Sequence, residues 1–270
     1  DKQKCIALFQ VLLITTILLI LASFISNKAN NQVDSAININ DKQLAMLAVK
    51  STLSHMKFNL LAKTSNFLAD NEGWNFHGEE FEISGVTVSV QDHNGLLFIN
   101  KNTSINTLNA IIKAVEKEVN KPFDVSAQVL KQWFSNPKNS RIQNLEQLIN
   151  LGVSYDSASI IWSNITVNPR ILFNPMNTPY ILLPVFFDNN QIQELTQLRS
   201  NNLTYKQTKQ AVEQITAIEN DEFTGYITGP YYRIKISANI GESHWKMLYE
   251  LSIVQEYNGF DLITLSQRPF

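Results

Sequence analysis

From Ile6 to Ser26 the chain carries no charge and reads IALFQVLLITTILLILASFIS. At about 1.5 Å per residue such a run spans the roughly 30 Å hydrocarbon core of a bilayer, so one membrane-crossing helix is expected. Neither Gly nor Pro occurs before Gly73, and nothing in the backbone obliges that helix to stop at the membrane surface. Beyond the apolar run, Met46, Val49, Leu53, Met56, Leu60 and Phe67 recur at spacings of three and four. They form one apolar stripe on a polar helix, which calls for a partner sheet. A coiled-coil stalk competes with this reading, but the repeat lasts only about three heptads and lacks ordered e/g charge pairs.

Lys2 and Lys4 precede the apolar run and Lys28 follows it, which places the N-terminus in the cytoplasm by the positive-inside bias. A cleavable signal would need a shorter core closed by small residues. Ala22-Ser23-Phe24 and Phe24-Ile25-Ser26 each put a large residue where a small one is required, so an uncleaved anchor is expected. A lipoprotein reading of Cys5 fails because the apolar stretch follows the cysteine.

After Gly73 the period changes to two. Phe81 and Ile83, then Val86, Val88 and Val90, alternate with polar residues, and Asp92-His93-Asn94-Gly95 reads as the turn of a hairpin with Leu96 to Ile99 returning. Short helices are expected next: Leu108, Ile111, Ile112 and Val115 in one, Val129, Leu130, Trp133 and Phe134 in a second, and Leu145, Leu148 and Ile149 in a third. Asn144 with Gln147 starts the third as a capping-box-like pair, and Thr178 before Pro179 reads as a further helix start. Strands return with Tyr232, Ile234, Ile236 and Ala238 alternating against Arg233, Lys235 and Ser237, followed by Trp245 to Val254 and Leu262 to Leu265. The first hairpin alone cannot bury both the helix stripe and its own apolar face, so the two strand regions should share one sheet with the helical block inserted.

Composition narrows the function. The 270 residues include 22 basic and 24 acidic ones, for a net charge of -2, with 44% apolar residues and a mean hydropathy of -0.11. Wholesale disorder and a basic nucleic-acid coat are excluded. Cys5 is the single cysteine, so no internal disulfide or cysteine-rich metal cage can form, and His55, His77, His93 and His244 are scattered singly. His77-Gly78-Glu79-Glu80 lacks the HExxH spacing and reads as a solvated loop. Asp92, Asn94 and Gly95 resemble the start of a calcium loop, but Thr103 stands where the closing Glu is needed. No G-x-S-x-G elbow occurs, so no catalytic residues are assigned and the chain is not expected to be an enzyme. Glu219, Asp221 and Glu222 form the densest acidic cluster, before the last strands. Asn174 to Arg199 resembles a helix-hairpin-helix module, which would make the chain a membrane-anchored DNA-binding protein. Its turn, Val185 to Asn190, has no glycine for a phosphate and carries an acid.

Four stretches resemble the type II secretion system protein K family of minor pseudopilins: KQKC with IALFQVLLITTILLIL, VSVQDHNGLLFIN, RIQNLEQLINLGV, and ITVNPRILFNPMNTPYILL with a later LTQLRS. In order and spacing they cover essentially the whole chain. The resemblance implies an α+β fold, a pilin-like long N-terminal transmembrane helix packed on a small antiparallel sheet, with a large all-α insertion of two SAM-like or helix-hairpin-helix-like subdomains. The corresponding boundaries are a leader at 1–5, the membrane helix at 6–26, its periplasmic continuation at 27–72, the first part of the sheet at 73–100, the insertion at 101–218 divided into about 101–168 and 169–218, and C-terminal strands at 219–270.

The resemblance also implies roles. Prepilin peptidase would cut between Cys5 and Ile6, where the family usually has glycine before the junction. Counting from Ile6, Gln10 takes the place of the glutamate with which most pilin-like subunits pair to a neighbour. A neutral residue there suits the tip of a fibre, as does a bulky insertion that would clash inside it. Implied partners are two other minor pseudopilins in a heterotrimeric tip complex, the major pseudopilin and the inner-membrane assembly platform. The implied location is a bacterial inner membrane, with the C-terminal domain periplasmic. No cofactor is required; Glu219, Asp221 and Glu222 are the candidate calcium ligands, since family members can bind calcium in the pilin-like domain. A minor pilin of a type IV pilus or competence system is the alternative, sharing the anchor but usually not the insertion.

Overall fold

The computed structural model describes residues 2–62, 74–136, 139, 141–168, 172–201, 205–217, 225, 226, 228–256 and 259–270. Helix α1 (Lys2–Ala62) is a single rod of 61 residues. It is long and apolar enough in its first half to cross a membrane. Its far end lies on a five-stranded antiparallel sheet of order β1-β2-β3-β4-β5, formed by β1 (His77–Ile83), β2 (Val86–Asp92), β3 (Tyr231–Ile240), β4 (Ser243–Glu256) and β5 (Gly259–Arg268). The architecture is α+β, with the helical block inserted between β2 and β3.

Alternation decides which sheet face meets α1. Val88 pairs with Ile236 and Val90 with Ile234, and Ile234 and Ile236 pair onward with Tyr249 and Met247. This apolar face closes over Ala45, Val49, Met56 and Leu60 of α1 in one buried cluster. Polar contacts hold the rim: Lys57 Nζ donates to Thr264 Oγ1 at 2.8 Å, and the Lys42 ammonium sits 5.8 Å from the Trp245 ring centre.

The first hairpin differs from the sequence expectation. Its turn is Ser84-Gly85, with φ of 51° and 78°, joining β1 to β2 through the Ile83↔Val86 pair. Positive φ at both central residues twists the turn to match the strands. Asp92-His93-Asn94-Gly95 is no hairpin turn, and Leu96 to Ile99 does not return into the sheet. His93–Gly95 is a buried 3₁₀ turn, and the run behind it leaves for the helical block, where Leu97 bridges Ile165 and Asn100 bridges Arg141. Leu96, Leu97, Phe98 and Ile99 are apolar without alternation, which suits a segment enclosed on both sides.

The helices are α2 (Ile105–Val119), α3 (Ala127–Ser135), α4 (Leu145–Asn150), α5 (Tyr155–Asn164), α6 (Leu183–Phe186), α7 (Asn189–Arg199) and α8 (Tyr205–Thr216). Side-chain caps start several of them: Ser104, Ser126 and Asn144 accept from the N–H of the residue three positions on. Asp188 and Gln191 form a reciprocal capping box on α7. Thr178 is not an N-cap. Asn174 caps a 3₁₀ turn at Pro175–Asn177, and Thr178 follows it fully buried, with its hydroxyl donating to Asn174 O at 3.3 Å. The Asn174 side-chain oxygen accepts from the N–H of Met176 at 3.1 Å, while the Thr178 hydroxyl is spent on the Asn174 carbonyl. One core gathers α2 to α5 around Leu108, Ile111, Leu130, Phe134 and Leu148; another gathers Phe173, Leu183, Leu195, Leu198 and Val212.

Candidate assembly face and polar junction

Helix α1 carries the first group of candidate residues. Cys5, Ile6 and Gln10 lie in its opening turns, where only the backbone is described. Along the far half, Val49, Met56 and Leu60 are buried against the sheet, whereas Met46 and Leu53 are half-buried at its margin. Phe67 lies outside the described residues. Ala45 and Thr52 complete the buried face; a small residue and a threonine do not register in an apolar stripe, although their spacing of seven between them marks one helix face.

The opposite side of α1 holds a second stripe that the sequence reading passed over. Val33, Ile37, Leu44, Leu47 and Phe58 are all large, apolar and exposed, Phe58 by 70%. At about 100° per residue they fall within about 80° of arc, centred about 140° around the helix from the sheet-facing side. Asn40, Ser51 and His55 occupy the remaining places on that arc, so no Lys, Arg, Asp or Glu interrupts it. From Val33 to Phe58 the stripe runs about 38 Å along the helix, beyond the uncharged apolar run that ends at Ser26.

A second site lies where the helical block leaves and rejoins the sheet. Asp92 pairs with Tyr232 in the ladder, so the chain departs at the end of β2 and returns beside it. The Asp92 carboxylate is fully buried. It accepts from Asn94 N at 2.9 Å, Asn177 Nδ2 at 2.7 Å and Gly229 N at 3.1 Å. Burial nevertheless pushes its pKa above the usual range, since those donors only partly replace lost water. Gln91 Nε2 donates to Asn177 O at 2.8 Å, and Asn174 N donates to Asn94 O at 3.0 Å. Gly95 passes so close that a Cβ there would stand 1.8 Å from Asn177 O.

Beside this knot, His93 Nε2 lies 2.8 Å from Glu250 Oε2 and its Nδ1 2.8 Å from Thr166 Oγ1. Arg233 donates through Nε to Glu250 Oε1 at 2.7 Å and through Nη1 to Ser163 O at 2.7 Å and Trp162 O at 3.2 Å. The guanidinium thereby caps the C-terminus of α5, where positive charge is favoured. Burial alone would raise the Glu250 pKa, but the His93 hydrogen bond and the Arg233 charge outweigh it and hold the carboxyl below its ordinary value.

On the far side Arg199 donates through Nη2 to Thr178 O at 2.6 Å and Pro175 O at 3.1 Å, with its guanidinium 5.1 Å from the Tyr180 ring centre. His77 meets the same ring edge-on at 5.5 Å. His77-Gly78-Glu79-Glu80 opens β1 and is not a solvated loop, and burial, then the Arg199 charge, lowers the His77 pKa to about 4.

No family model and no curated protein matches this chain. Among solved structures it aligns with a chain of the GspK-GspI-GspJ complex from the enterotoxigenic Escherichia coli type 2 secretion system. The TM-score is 0.40 at 11% identity, covering 88% of this chain and 99% of that one.

Chemically, the junction is a set of side chains spent on backbone groups and on one another. Asp92, His93, Asn94, Asn177 and Thr178 are buried, whereas Arg199 and Glu250 are partly so. Among the described residues no group of three or more His, Cys, Asp or Glu side chains is placed to hold a metal ion. Glu219, Asp221 and Glu222 lie outside the described residues. The sequence reading missed the junction because it took DHNG as the turn of a hairpin and Thr178-Pro179 as a helix start. An available signal was the unbroken apolar run directly after Gly95, since a turn that feeds a fully enclosed segment is itself drawn inward.

Proposed function

We propose that the chain is a minor pseudopilin of a type II secretion system. It would cap the tip of the periplasmic pseudopilus and help to start its assembly for export of folded proteins across the outer membrane. The observation that carries this reading is the second stripe on α1. A helix that has already satisfied one face on its own sheet, yet keeps an uncharged face open in line with a membrane segment, is built to lie beside other membrane-anchored helices. The four family-like stretches and the large insertion supply the rest: bulk on the sheet's far end is tolerated where no further subunit is added. On this reading Gln10 leaves nothing charged for a later subunit to pair with, and Cys5-Ile6 is the processing junction. The partners are two other minor pseudopilins, the major pseudopilin, the assembly platform and prepilin peptidase. The anchor lies in the inner membrane with the rest of the chain periplasmic. The role asks for no catalysis and no required cofactor; calcium at Glu219, Asp221 and Glu222 rests on the resemblance alone.

The test is to coexpress the chain with candidate minor pseudopilins and measure the mass of the purified assembly. A stoichiometric heterotrimer that disappears with L44E/L47E is expected. A wild-type chain that stays monomeric beside every such partner, or a crosslinking map that places it midway along a fibre with neighbours above and below, would overturn the proposal.

A further inference from the structure

The helical block contains an open cleft of about 770 Å³ that the assembly reading does not use. One wall is the exposed face of α2, where Asn106, Asn109, Lys113 and Lys117 follow one another at steps of three and four. Ala110 and Ala114 of the same helix, with Tyr180, Ile181, Pro184 and Asn189 from beyond it, complete the lining. We infer that this cleft binds an extended acidic peptide segment of a second protein.

Shape and chemistry agree on that ligand. The volume lies within the roughly 300–1,000 Å³ typical of ligand sites. From Asn106 to Lys117 the wall is about 16 Å long, the reach of about five residues of extended chain. Lys113 and Lys117, one turn apart, are separated by about 6 Å at Cβ, close to the roughly 6.6 Å between alternate side chains of an extended peptide. Carboxylates at positions i and i+2 can therefore meet both ammonium groups. Each asparagine amide presents a donor and an acceptor together, the complement of a peptide group, and three of them face the cleft. Ala110 and Ala114 in the lining leave room for a backbone to approach α2. The Tyr180 ring is held by the Arg199 guanidinium and, edge-on, by His77, so this part of the lining is formed before any ligand arrives. Glu118 at the rim leaves the lining with an excess of positive charge in a chain of net charge -2. Two lysines are too few to hold a nucleic-acid backbone, which is bound by neutralising many phosphates.

The inference is independent of α1, so a chain that fails to assemble can still bind the peptide. The probe is a fluorescein-labelled peptide of alternating Glu and Ser, titrated by anisotropy with the full chain in detergent micelles. Matched peptides carry Gln or Lys in place of Glu. Binding of the Glu peptide, at least about tenfold weaker for the Gln peptide and further weakened by salt, is expected. K113Q/K117Q should lose about tenfold or more, and Asn109→Trp should obstruct the cleft with both charges retained. Circular dichroism melts check that the exposed substitutions leave the fold intact. Equal binding of the Glu, Gln and Lys peptides would overturn the inference. So would K113Q/K117Q and Asn109→Trp variants that bind as the parent does, or a short DNA duplex that outcompetes the peptide.

Discussion

Adding one methyl group at Gly95 tests whether the junction is a rigid contact or a loose turn. A Cβ there would lie 1.8 Å from Asn177 O, 2.2 Å from Asn177 C and 2.8 Å from Thr178 N, all backbone atoms. Neither segment can swing a side chain aside, so Gly95→Ala must drive the Asn174–Thr178 turn away by more than an ångström. That motion strains the packing by about 1–3 kcal/mol. It also breaks the Asn177 Nδ2 to Asp92 bond and the Gln91 to Asn177 O bond, worth about 1.5–3 and about 0.5–1.5 kcal/mol. A loss of about 3–7 kcal/mol is expected, a large part of the roughly 5–15 kcal/mol that stabilises a typical domain. Urea unfolding of the full chain in micelles, followed by tryptophan fluorescence, measures it. Gly85→Ala is the control. That glycine sits at φ 78° with nothing within 4 Å of the would-be Cβ, so it should lose only about 1–2 kcal/mol of backbone strain. If Gly95→Ala costs less than Gly85→Ala, the two segments are not in the contact described and the junction argument fails.

The two faces of α1 should separate in the same assay. Met56→Ala, fully buried against the sheet, should cost about 2–5 kcal/mol, while exposed Leu47→Glu should stay within about 0.5 kcal/mol yet reduce capture of a partner in pull-downs. His77 makes stability depend on pH: its folded pKa of about 4 lies below its ordinary 6.5, so the unfolded chain takes up the proton first. Stability should therefore fall by up to about 3 kcal/mol as pH drops from 6.5 to about 4, a slope that thermal melts should show reduced in His77→Gln. Below pH 4.5 the lowered Glu250 carboxyl adds to the loss as it protonates, while the raised Asp92 carboxyl works in the opposite direction. Arg233→Met should cost about 3–5 kcal/mol, because Glu250 then keeps a half-buried charge without its guanidinium and the Ser163 and Trp162 carbonyls lose their donor; R233M/E250Q should recover only the share due to the Glu250 charge, and a double variant no more stable than R233M would refute that assignment.

Legibility in the sequence followed period. The long helix, β3 to β5, and α2 to α4 could be read because each repeats an apolar position every two or every three to four residues. The strand pairing followed from the need of the α1 stripe for a face larger than one hairpin. What escaped was polar and buried. Asp92 meets Asn177 and Gly229 at separations of 85 and 137 residues, so no local window contains the reason for its burial. Thr178-Pro179 has the right chemistry for a helix start, and lost the role to Asn174-Pro175 four residues earlier. The outer stripe of α1 was legible in principle, but its five members are spread over Val33 to Phe58 with polar residues between them. The denser inner stripe dominates any count of apolar periodicity.

The insertion also explains why the junction is polar. Because β2 and β3 pair directly, the chain must leave the sheet at Asp92 and return at Tyr232, and the turns beside those points have backbone groups that no ladder partner can satisfy. Asp92 takes the N–H groups of Asn94 and Gly229, while Gln91, Arg199 and Arg233 donate to the carbonyls of Asn177, Thr178 and Ser163. The Asp92, Gln91 and Arg233 bonds cross from the sheet to segments of the insertion, whereas the Arg199 bond joins α7 to the Asn174–Thr178 turn within it. An apolar junction of the same size would leave those groups unpaired at about 1–3 kcal/mol apiece. The polar residues therefore fasten the helical block to the sheet at several separate points, and the sheet is packed along α1. A hinge between the two parts would require breaking several of these charge-assisted bonds together.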